Sequence, residues 1–146
     1  MTAKVAILMA TYNGEAFLAQ QLQSILFQTR DDWHLFVRDD GSTDETVSII
    51  RAFQEKYSNI SLLDNQGAST GSAAGNFFEL IQQCALQEFD YFALADQDDV
   101  WSPDKLEAAI TLIKKEGAGA YSSNLISYDN RMKRALSLIH ISEPTR

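Results

Sequence analysis

The stretch Tyr91-Phe92-Ala93-Leu94-Ala95-Asp96-Gln97-Asp98-Asp99 places a short apolar run directly before a cluster of carboxylates. A continuous apolar run of this length is typical of a buried strand, and the acids then lie at the carboxyl end of that strand. In open α/β sheets, that edge is where ligands bind. Neighbouring carboxylates repel one another unless a cation or a ligand's donors offset their charge. The cluster therefore suggests a site for Mg²⁺ or Mn²⁺ with a diphosphate, although a solvated helix cap fits it equally well when it is taken alone.

The composition is that of an ordinary globular protein, with 146 residues of which 45% are hydrophobic and 22% are charged. The formal net charge is −8 and no basic run is present, which argues against a nucleic-acid partner. The single cysteine, Cys84, lies in an apolar helical pattern and is expected to be a buried structural thiol. The apolar opening at residues 5–10 is too short for a signal core or a membrane span. We therefore expect a cytoplasmic protein, with peripheral membrane association left open.

Strand and helix signals alternate along the chain, which predicts parallel βαβ units and an α/β fold with a mostly parallel sheet. The apolar runs predict strands at residues 5–10, 34–38, 60–63, 91–95 and 118–123. Helices are expected at residues 15–28, after the capping residues Ser42, Thr43 or Asp44, and after the small-residue loop 67–75. A last helix is expected to begin at Pro103 with Ser102 as its cap and to end near residue 115.

Polar motifs follow three of these predicted strands, at the point where each strand ends. They are Thr11-Tyr12-Asn13 after the first strand, Asp39-Asp40-Gly41-Ser42 after the second, and the Asp96 to Asp99 cluster after the fourth. Each motif alone is also typical of a turn or a helix cap. Because parallel strands bring their carboxyl ends to one edge of a sheet, we expect the motifs to converge on one site.

Other kinds of phosphate or metal site do not fit the spacing of the residues. The glycines Gly67, Gly71 and Gly75 are not spaced as in a dinucleotide-binding loop, and no Gly-Lys-Ser/Thr sequence occurs. A calcium loop needs a polar ligand and then a glycine where this chain has Val100 and Trp101.

The chain resembles the family 2 glycosyltransferases of the GT-A fold. The resemblance is carried by Val5-Ala6-Ile7-Leu8-Met9-Ala10-Thr11-Tyr12-Asn13-Gly14, by Arg38-Asp39-Asp40-Gly41-Ser42-Thr43-Asp44, by Ala95-Asp96-Gln97-Asp98-Asp99-Val100-Trp101 and by Pro103-Asp104-Lys105. The form Asp-Gln-Asp-Asp-Val-Trp is similar to the bacterial rhamnosyltransferase-like branch. The resemblance implies a Rossmann-like βαβ sandwich, of which this chain holds the donor-binding half.

The same resemblance sets the expected domain bounds. It runs to about residue 130, and we expect residues 1–135 to form the nucleotide-sugar-binding part of the domain. Residues 136–146 complete no predicted element and resemble translated sequencing-adapter sequence. We therefore expect that segment to be non-native.

For the nucleotide, the resemblance implies roles at two strand ends. The run Thr11-Tyr12-Asn13 matches the segment that wraps the base and the ribose, and Glu15 lies close enough to join it. Asp40, or its neighbour Asp39, matches the acid that hydrogen-bonds the base. A carboxylate accepting an imide N–H from uracil or thymine is chemically sensible.

For the metal, Asp96 and Asp98 match the family's Asp-x-Asp, with Asp96 near the ribose and Asp98 on Mn²⁺ or Mg²⁺. The resemblance implies that Asp99 either assists the metal or orders the turn before Pro103. Arg38 is expected to be the partner in an ion pair at the end of its strand and not a ligand residue.

The implied activity is transfer of a sugar from a nucleoside-diphosphate donor, dTDP-rhamnose or a UDP-sugar, to a cell-surface glycan or lipid-linked acceptor. The reaction would be metal-dependent and inverting, with a general base that lies well beyond the Asp-x-Asp, so no catalytic residue is assigned. The chain alone is expected to bind nucleotide without turnover. The alternative is a non-catalytic nucleotide-sugar-binding fragment or pseudoenzyme. A nucleotidyltransferase would carry a basic, Gly-rich loop where this chain has Thr11-Tyr12-Asn13-Gly14-Glu15.

Overall fold

The structure, a computed structural model, describes residues 4–65, 67–123, 125–129 and 134–138, the last two ranges as strand backbone. The chain divides into two compact units, Met1–Lys105 and Leu106–Arg146. Within the described residues, no helix has the length and apolar character needed to cross a lipid bilayer.

The first unit alternates strands and helices as the sequence predicts. Its elements are β1 (Val5–Thr11), α1 (Leu18–Leu26), β2 (Trp33–Asp39), α2 (Thr46–Lys56), β3 (Ile60–Leu62), α3 (Ala73–Gln83), a 3₁₀ turn at Leu86–Glu88 and β4 (Tyr91–Ala95). The strands form one parallel sheet in the order β3-β2-β1-β4, which confirms the predicted parallel α/β architecture.

The register of the sheet brings the ends of three strands to one edge. β1 pairs with β2 on one side and β4 on the other, with Thr11 opposite Asp39 and Met9 opposite Ala95. Every β1 side chain except that of Ala10 is buried, and strands flank β1 on both sides. The polar motifs that follow β1, β2 and β4 therefore emerge next to one another, as predicted.

Helix α3 covers one face of the sheet over β1 and β2. The buried centre of this contact is Ala6, Leu8 and Leu80, and partly buried side chains surround it at Phe36, Leu63, Phe77, Cys84, Leu86 and Phe89. Cys84 is thus partly buried in the apolar layer, close to the structural role expected for it. Burial raises the pKa of the Cys84 thiol to about 11.

The prediction that β4 is a buried strand is wrong, although its bounds are as predicted. Phe92 is 61% exposed and Leu94 is 54% exposed. They lie opposite Ala6 and Leu8 of β1 and so share the face that α3 covers. Because β4 is the edge strand of this sheet and α3 lies over β1 and β2, the side chains of Phe92 and Leu94 stay uncovered.

The predicted start of the last helix differs by two residues from the observed start. Helix α4 spans Lys105–Glu116, and Pro103 lies in the turn before it. The main-chain carbonyl of Ser102 accepts a hydrogen bond from the Lys105 N–H at 3.1 Å. Helix α1 is likewise shorter than predicted, because residues 15–17 form turns before Leu18.

The prediction of a strand at residues 118–123 is wrong. Gly117 adopts a φ of +61°, and the Ala118 N–H donates back to the Ile113 carbonyl at 3.1 Å, which is the hydrogen bond of a Schellman helix end. The backbone leaves this motif as irregular structure. The next strand is β5 (Leu125–Asp129), which pairs antiparallel with β6 (Arg134–Leu138).

Strand β6 includes the first residues of the C-terminal segment 136–146. Residues 136–138 belong to β6, so the expectation that this segment completes no element is wrong. The remainder, residues 139–146, lies outside the described residues, and its non-native origin stays a prediction.

We expect Cys84 to be a slow nucleophile in the folded protein. With a pKa of about 11, about 0.1% of the thiol is ionised at pH 8, and the thiolate is the reactive form. Alkylation with iodoacetamide at pH 8, followed by mass spectrometry, is expected to be at least about a hundredfold slower than after unfolding in urea. Equal rates in the two states would contradict the burial of this thiol.

Candidate functional site

A cavity of about 480 Å³ opens at the carboxyl edge of the parallel sheet. It is lined by Ala10, Thr11, Tyr12, Asp40, Ser69, Gly71, Ser72, Ala73, Asn76, Phe77, Asp96, Gln97 and Asp98. Of the predicted site residues, the structure brings together Thr11, Tyr12, Asp40, Asp96 and Asp98 here. All of them lie in the first unit.

Asp40 forms a buried ion pair at the floor of this cavity. Its Oδ1 lies 3.1 Å from the Arg38 guanidinium, which fits the ion-pair role expected for that arginine. The main-chain N–H groups of Thr70 and Gly71 donate to the same carboxylate at 2.7 and 2.9 Å. The hydroxyl of Ser69 is a more distant donor, at 3.2 Å. The loop before α3 therefore folds over Asp40 and supplies most of its hydrogen bonds.

These contacts set the pKa of Asp40. Burial by itself raises the pKa of a carboxyl group, but hydrogen bonds from Thr70, Arg38 and Gly71 favour the charged form. The hydrogen bonds outweigh burial, so the pKa of Asp40 lies below its ordinary value. Asp40 is consequently a carboxylate throughout the physiological pH range.

Asp39 is also buried but does not line the cavity. It accepts hydrogen bonds from the hydroxyl of Thr11 at 2.9 Å and from the main-chain N–H groups of Gly41 and Ser42 at 3.0 and 2.7 Å. The hydroxyl of Ser42 donates to it as well, at 2.6 Å. Asp39 therefore orders the turn after β2, and it holds the Thr11 side chain to the sheet.

Asn13 and Glu15 bind the neighbouring turn and do not line the cavity either. The Asn13 side chain accepts the Thr43 N–H at 2.8 Å, and Asn13 adopts a φ of +45°. The Glu15 carboxylate accepts the Glu45 N–H at 2.9 Å, at the start of α2. These side chains join the loop after β1 to the loop after β2.

Asp96 and Asp98 face the cavity with exposed side chains. Within the described residues, no hydrogen bond or ion pair engages either carboxylate, and no Lys, Arg or His lines the cavity. Burial and the charges of Asp96 and Asp98 raise the pKa of Asp99, with Lys105 opposing them. Excess negative charge therefore collects at the end of β4.

The donor set at the end of β4 fits a hard divalent cation that shares its coordination with a ligand. The described residues contain no cluster of three or more metal-binding side chains. Mg²⁺ commonly uses one or two protein carboxylates together with phosphate oxygens, and Mn²⁺ favours the same ligand types. The pair Asp96 and Asp98 meets that requirement, whereas a metal held by protein alone would need further ligands.

Two residues of the site were missed by the sequence reasoning. Asn76, buried in α3, accepts a hydrogen bond from Arg38 at 2.7 Å and donates to the carbonyls of Thr11 and Arg38. Gln97, inside the acidic motif, bonds to the main chain of Tyr12. A lone asparagine in an otherwise apolar helical pattern was the available signal for the first, and no local signal marks the second.

The fold and its cavity define an α/β protein with a cavity at the carboxyl edge of a parallel sheet, which is where such folds bind ligands. Residues 6–142 match the sequence profile of Glycosyl transferase family 2. The chain belongs to this family, as the motifs predicted.

Bacterial glycosyltransferases are among the curated relatives of this chain. The dTDP-rhamnosyl transferase RfbG of Shigella flexneri is 42% identical over 120 residues, covering 82% of this chain and 42% of that protein. The UDP-Glc:alpha-D-GlcNAc-diphosphoundecaprenol beta-1,3-glucosyltransferase WfgD of Escherichia coli is 34% identical over 113 residues, covering 76% of this chain and 41% of that protein. The chain thus spans about two fifths of the length of these relatives.

Solved structures establish the GT-A fold. The mannosyltransferase PcManGT of Pyrobaculum calidifontis, in complex with GDP-Man and Mn²⁺, superposes with a TM-score of 0.68 at 22% identity, over 82% of this chain and 34% of that chain. TarS 1-349 of S. aureus, in complex with UDP-GlcNAc, superposes with a TM-score of 0.62 at 24% identity, over 79% of this chain and 32% of that chain. At this level of sequence identity, the structural similarity shows that this chain shares the fold of these proteins.

We expect Asp40→Asn to destabilise the fold in a pH-dependent way. Breaking a buried ion pair by removing one partner costs about 3 kcal/mol. Because the folded-state pKa of Asp40 is lowered from 3.8, its contribution is present above that value and is lost as the pH falls through the folded-state pKa. Urea denaturation followed by circular dichroism at pH 7, 5 and 3 measures the difference between the variant and the parent.

The matched control is Glu55→Gln, which removes an exposed carboxylate from α2. It is expected to change the free energy of unfolding by less than about 0.5 kcal/mol at every pH. A difference between Asp40→Asn and the parent protein that stays constant down to pH 3 would show that the ionised form of Asp40 is not what stabilises the fold.

Proposed function

We propose that this cavity binds a nucleoside-diphosphate sugar and that the protein serves the donor side of glycosyl transfer. The observation that carries the proposal is the convergence of Tyr12, Asp40, Asp96 and Asp98 on one cavity of a family 2 chain. The preferred donor is dTDP-rhamnose, because the similarity to RfbG is high, and UDP-sugars come next.

The base end of the nucleotide would lie between Tyr12 and Asp40. The Tyr12 side chain is 55% exposed, which leaves its ring free to stack on a base. The Asp40 carboxylate would accept the imide N–H that thymine and uracil share. That N–H would replace the hydroxyl of Ser69, since this donor is more distant from Asp40 than the main-chain donors are. The Asp39 oxygens accept hydrogen bonds within the turn after β2. Asp39 would therefore affect base binding only by positioning Asp40.

The diphosphate end would lie beside Asp96 and Asp98. Because no cationic side chain from the described part of the chain lines the cavity, phosphate oxygens would approach these acids only with a cation between them. Asp98 would hold Mn²⁺ or Mg²⁺, with Asp96 between the metal and the ribose. When bound, the cation would stabilise the negative charge that develops on the departing diphosphate. Asn13 and Glu15 would act by shaping the loop that carries Tyr12.

The reaction would be a single displacement at the anomeric carbon with inversion, and the acceptor would be a cell-surface glycan or a lipid-linked glycan. The attacking hydroxyl needs a general base, and none of the described residues is assigned to that role. Use of nucleotide sugars fits a cytoplasmic location with peripheral membrane association. The alternative function is nucleotide-sugar binding without turnover, and a transfer assay on the full-length gene product distinguishes the two.

We expect dTDP and UDP to stabilise the protein only in the presence of Mn²⁺ or Mg²⁺. At one hundred times the dissociation constant, a ligand adds about 2.7 kcal/mol to the free energy of unfolding, which a thermal-shift panel detects. Asp98→Asn removes the charge that holds the cation and is expected to weaken dTDP–Mn²⁺ binding at least about tenfold in calorimetry.

Asp104→Asn is the control for this experiment, because Asp104 is exposed and lies outside the cavity lining. It is expected to bind dTDP and Mn²⁺ as the parent protein does. Unchanged affinity in Asp98→Asn would rule out its assignment to the metal.

We expect the two contacts at the base end to respond in opposite ways. Asp40→Ala removes the acceptor for the imide N–H and is expected to weaken dTDP binding while the requirement for metal persists. Ser69→Ala removes one of the two hydroxyls that donate to Asp40, the other being that of Thr70, and is expected to preserve or raise the affinity, measured by calorimetry. A loss of affinity in Ser69→Ala, with the melting temperature unchanged, would place the base elsewhere.

A further inference from the structure

Gln97 forms a pair of hydrogen bonds with the peptide groups of Tyr12. Its Oε1 accepts the Tyr12 N–H at 2.9 Å, and its Nε2 donates to the Tyr12 carbonyl at 3.0 Å. This two-way exchange is the pattern that a hydrogen-bonded residue pair makes between antiparallel strands. A side-chain amide thus joins the loop after β4 to the loop after β1, which are 85 residues apart in the sequence.

The Gln97 amide occupies space that is available because Gly14 has no side chain. A Cβ at residue 14 would lie 2.3 Å from Gln97 Oε1 and 2.6 Å from its Cδ, so any side chain there would push the amide away. Gly14 does not adopt a positive φ, so its φ does not exclude alanine. Because the displaced atoms are the end of a flexible side chain, Gly14→Ala would release Gln97 without breaking the local fold.

The two loops joined in this way carry different parts of the candidate site. Tyr12 lines the cavity from the end of β1, whereas Asp96 and Asp98, the sequence neighbours of Gln97, line it from the end of β4. Within the described residues, the strand pairing of β1 with β4 ends at Met9 and Ala95. Beyond that point, Gln97 holds the loops at a fixed spacing.

We propose that Gln97 is a positioning residue that sets the distance between the base-contacting loop and the acidic loop, so that one nucleoside diphosphate contacts both. This inference rests on the proposed function, since it assigns the base to Tyr12 and the diphosphate to Asp98. With the pair intact, binding of the diphosphate end brings the base to a preorganised partner. Without it, each loop still binds its own part of the ligand, but the two no longer reinforce each other.

The test compares the binding of two parts of the ligand, the nucleoside and the diphosphate, with the binding of the whole nucleoside diphosphate. Thymidine, Mn²⁺-pyrophosphate and dTDP with Mn²⁺ are each titrated against the parent protein and against two variants, Gln97→Met and Gly14→Ala, with calorimetry for dTDP and ligand-observed NMR for the weaker ligands. The variants break the same contact by different routes, one by removing the amide and the other by displacing it. Gln23→Met on α1 and Gly119→Ala are the matched controls, because Gln23 is exposed outside the cavity and a Cβ at Gly119 meets nothing within 4 Å.

The expected result is a loss of about tenfold in dTDP affinity for Gln97→Met and Gly14→Ala, with thymidine and Mn²⁺-pyrophosphate affinities within about twofold of the parent. Both controls retain the parent affinities. Unchanged dTDP affinity overturns the positioning role, and so does a parallel loss for all three ligands, which is the mark of a structural defect. If the parent protein binds none of the ligands, the proposed function itself fails, and this inference fails with it.

Discussion

The buried ion pair between Arg38 and Asp40 is the constraint on which the candidate site depends. Two opposite charges removed from water need further hydrogen bonds to offset the cost of their desolvation. Here the guanidinium also donates to the Asn76 side chain and to the Ala68 carbonyl, while the carboxylate receives main-chain N–H groups from the following loop. One ion pair at a strand end therefore fixes both the loop before α3 and the position of α3 itself.

Asn76 extends this constraint to the main chain of the sheet. Its amide nitrogen donates to the carbonyls of Thr11, at the end of β1, and of Arg38, near the end of β2, at 3.2 and 3.1 Å. An asparagine can serve as donor and acceptor at once, so one buried side chain satisfies two strand carbonyls and orients the guanidinium. The apolar contact of Leu80 with Ala6 and Leu8 holds α3 on the sheet face, and this polar contact determines where along the strands α3 begins.

Most of the first unit was predictable from the sequence because periodicity and strand-end motifs are local properties of the chain. The exposure of Phe92 and Leu94 was not, since it depends on which elements cover β4 and not on the apolar run itself. The expected strand after α4 was wrong because Gly117, with its positive φ, ends the helix in a motif that continues into irregular backbone. In the site, parallel topology predicted which motifs meet, but not that Asp39 binds its own turn. That outcome depends on donor geometry that only the folded backbone provides.

The acids at the edge of the sheet are of one chemical type, yet their surroundings divide them into two kinds. Asp40 is buried, and its carboxylate already binds an arginine and main-chain N–H groups. A metal ion there would have to displace the guanidinium of Arg38. Asp96 and Asp98 are exposed, and no hydrogen bond or ion pair from the described residues engages their carboxylates. A divalent cation therefore gains the most binding energy beside β4, at Asp96 and Asp98. A neutral N–H donor gains the most beside β2, at Asp40. Under the proposed function, this asymmetry gives the nucleotide its direction in the cavity, with the base towards β2 and the diphosphate towards β4.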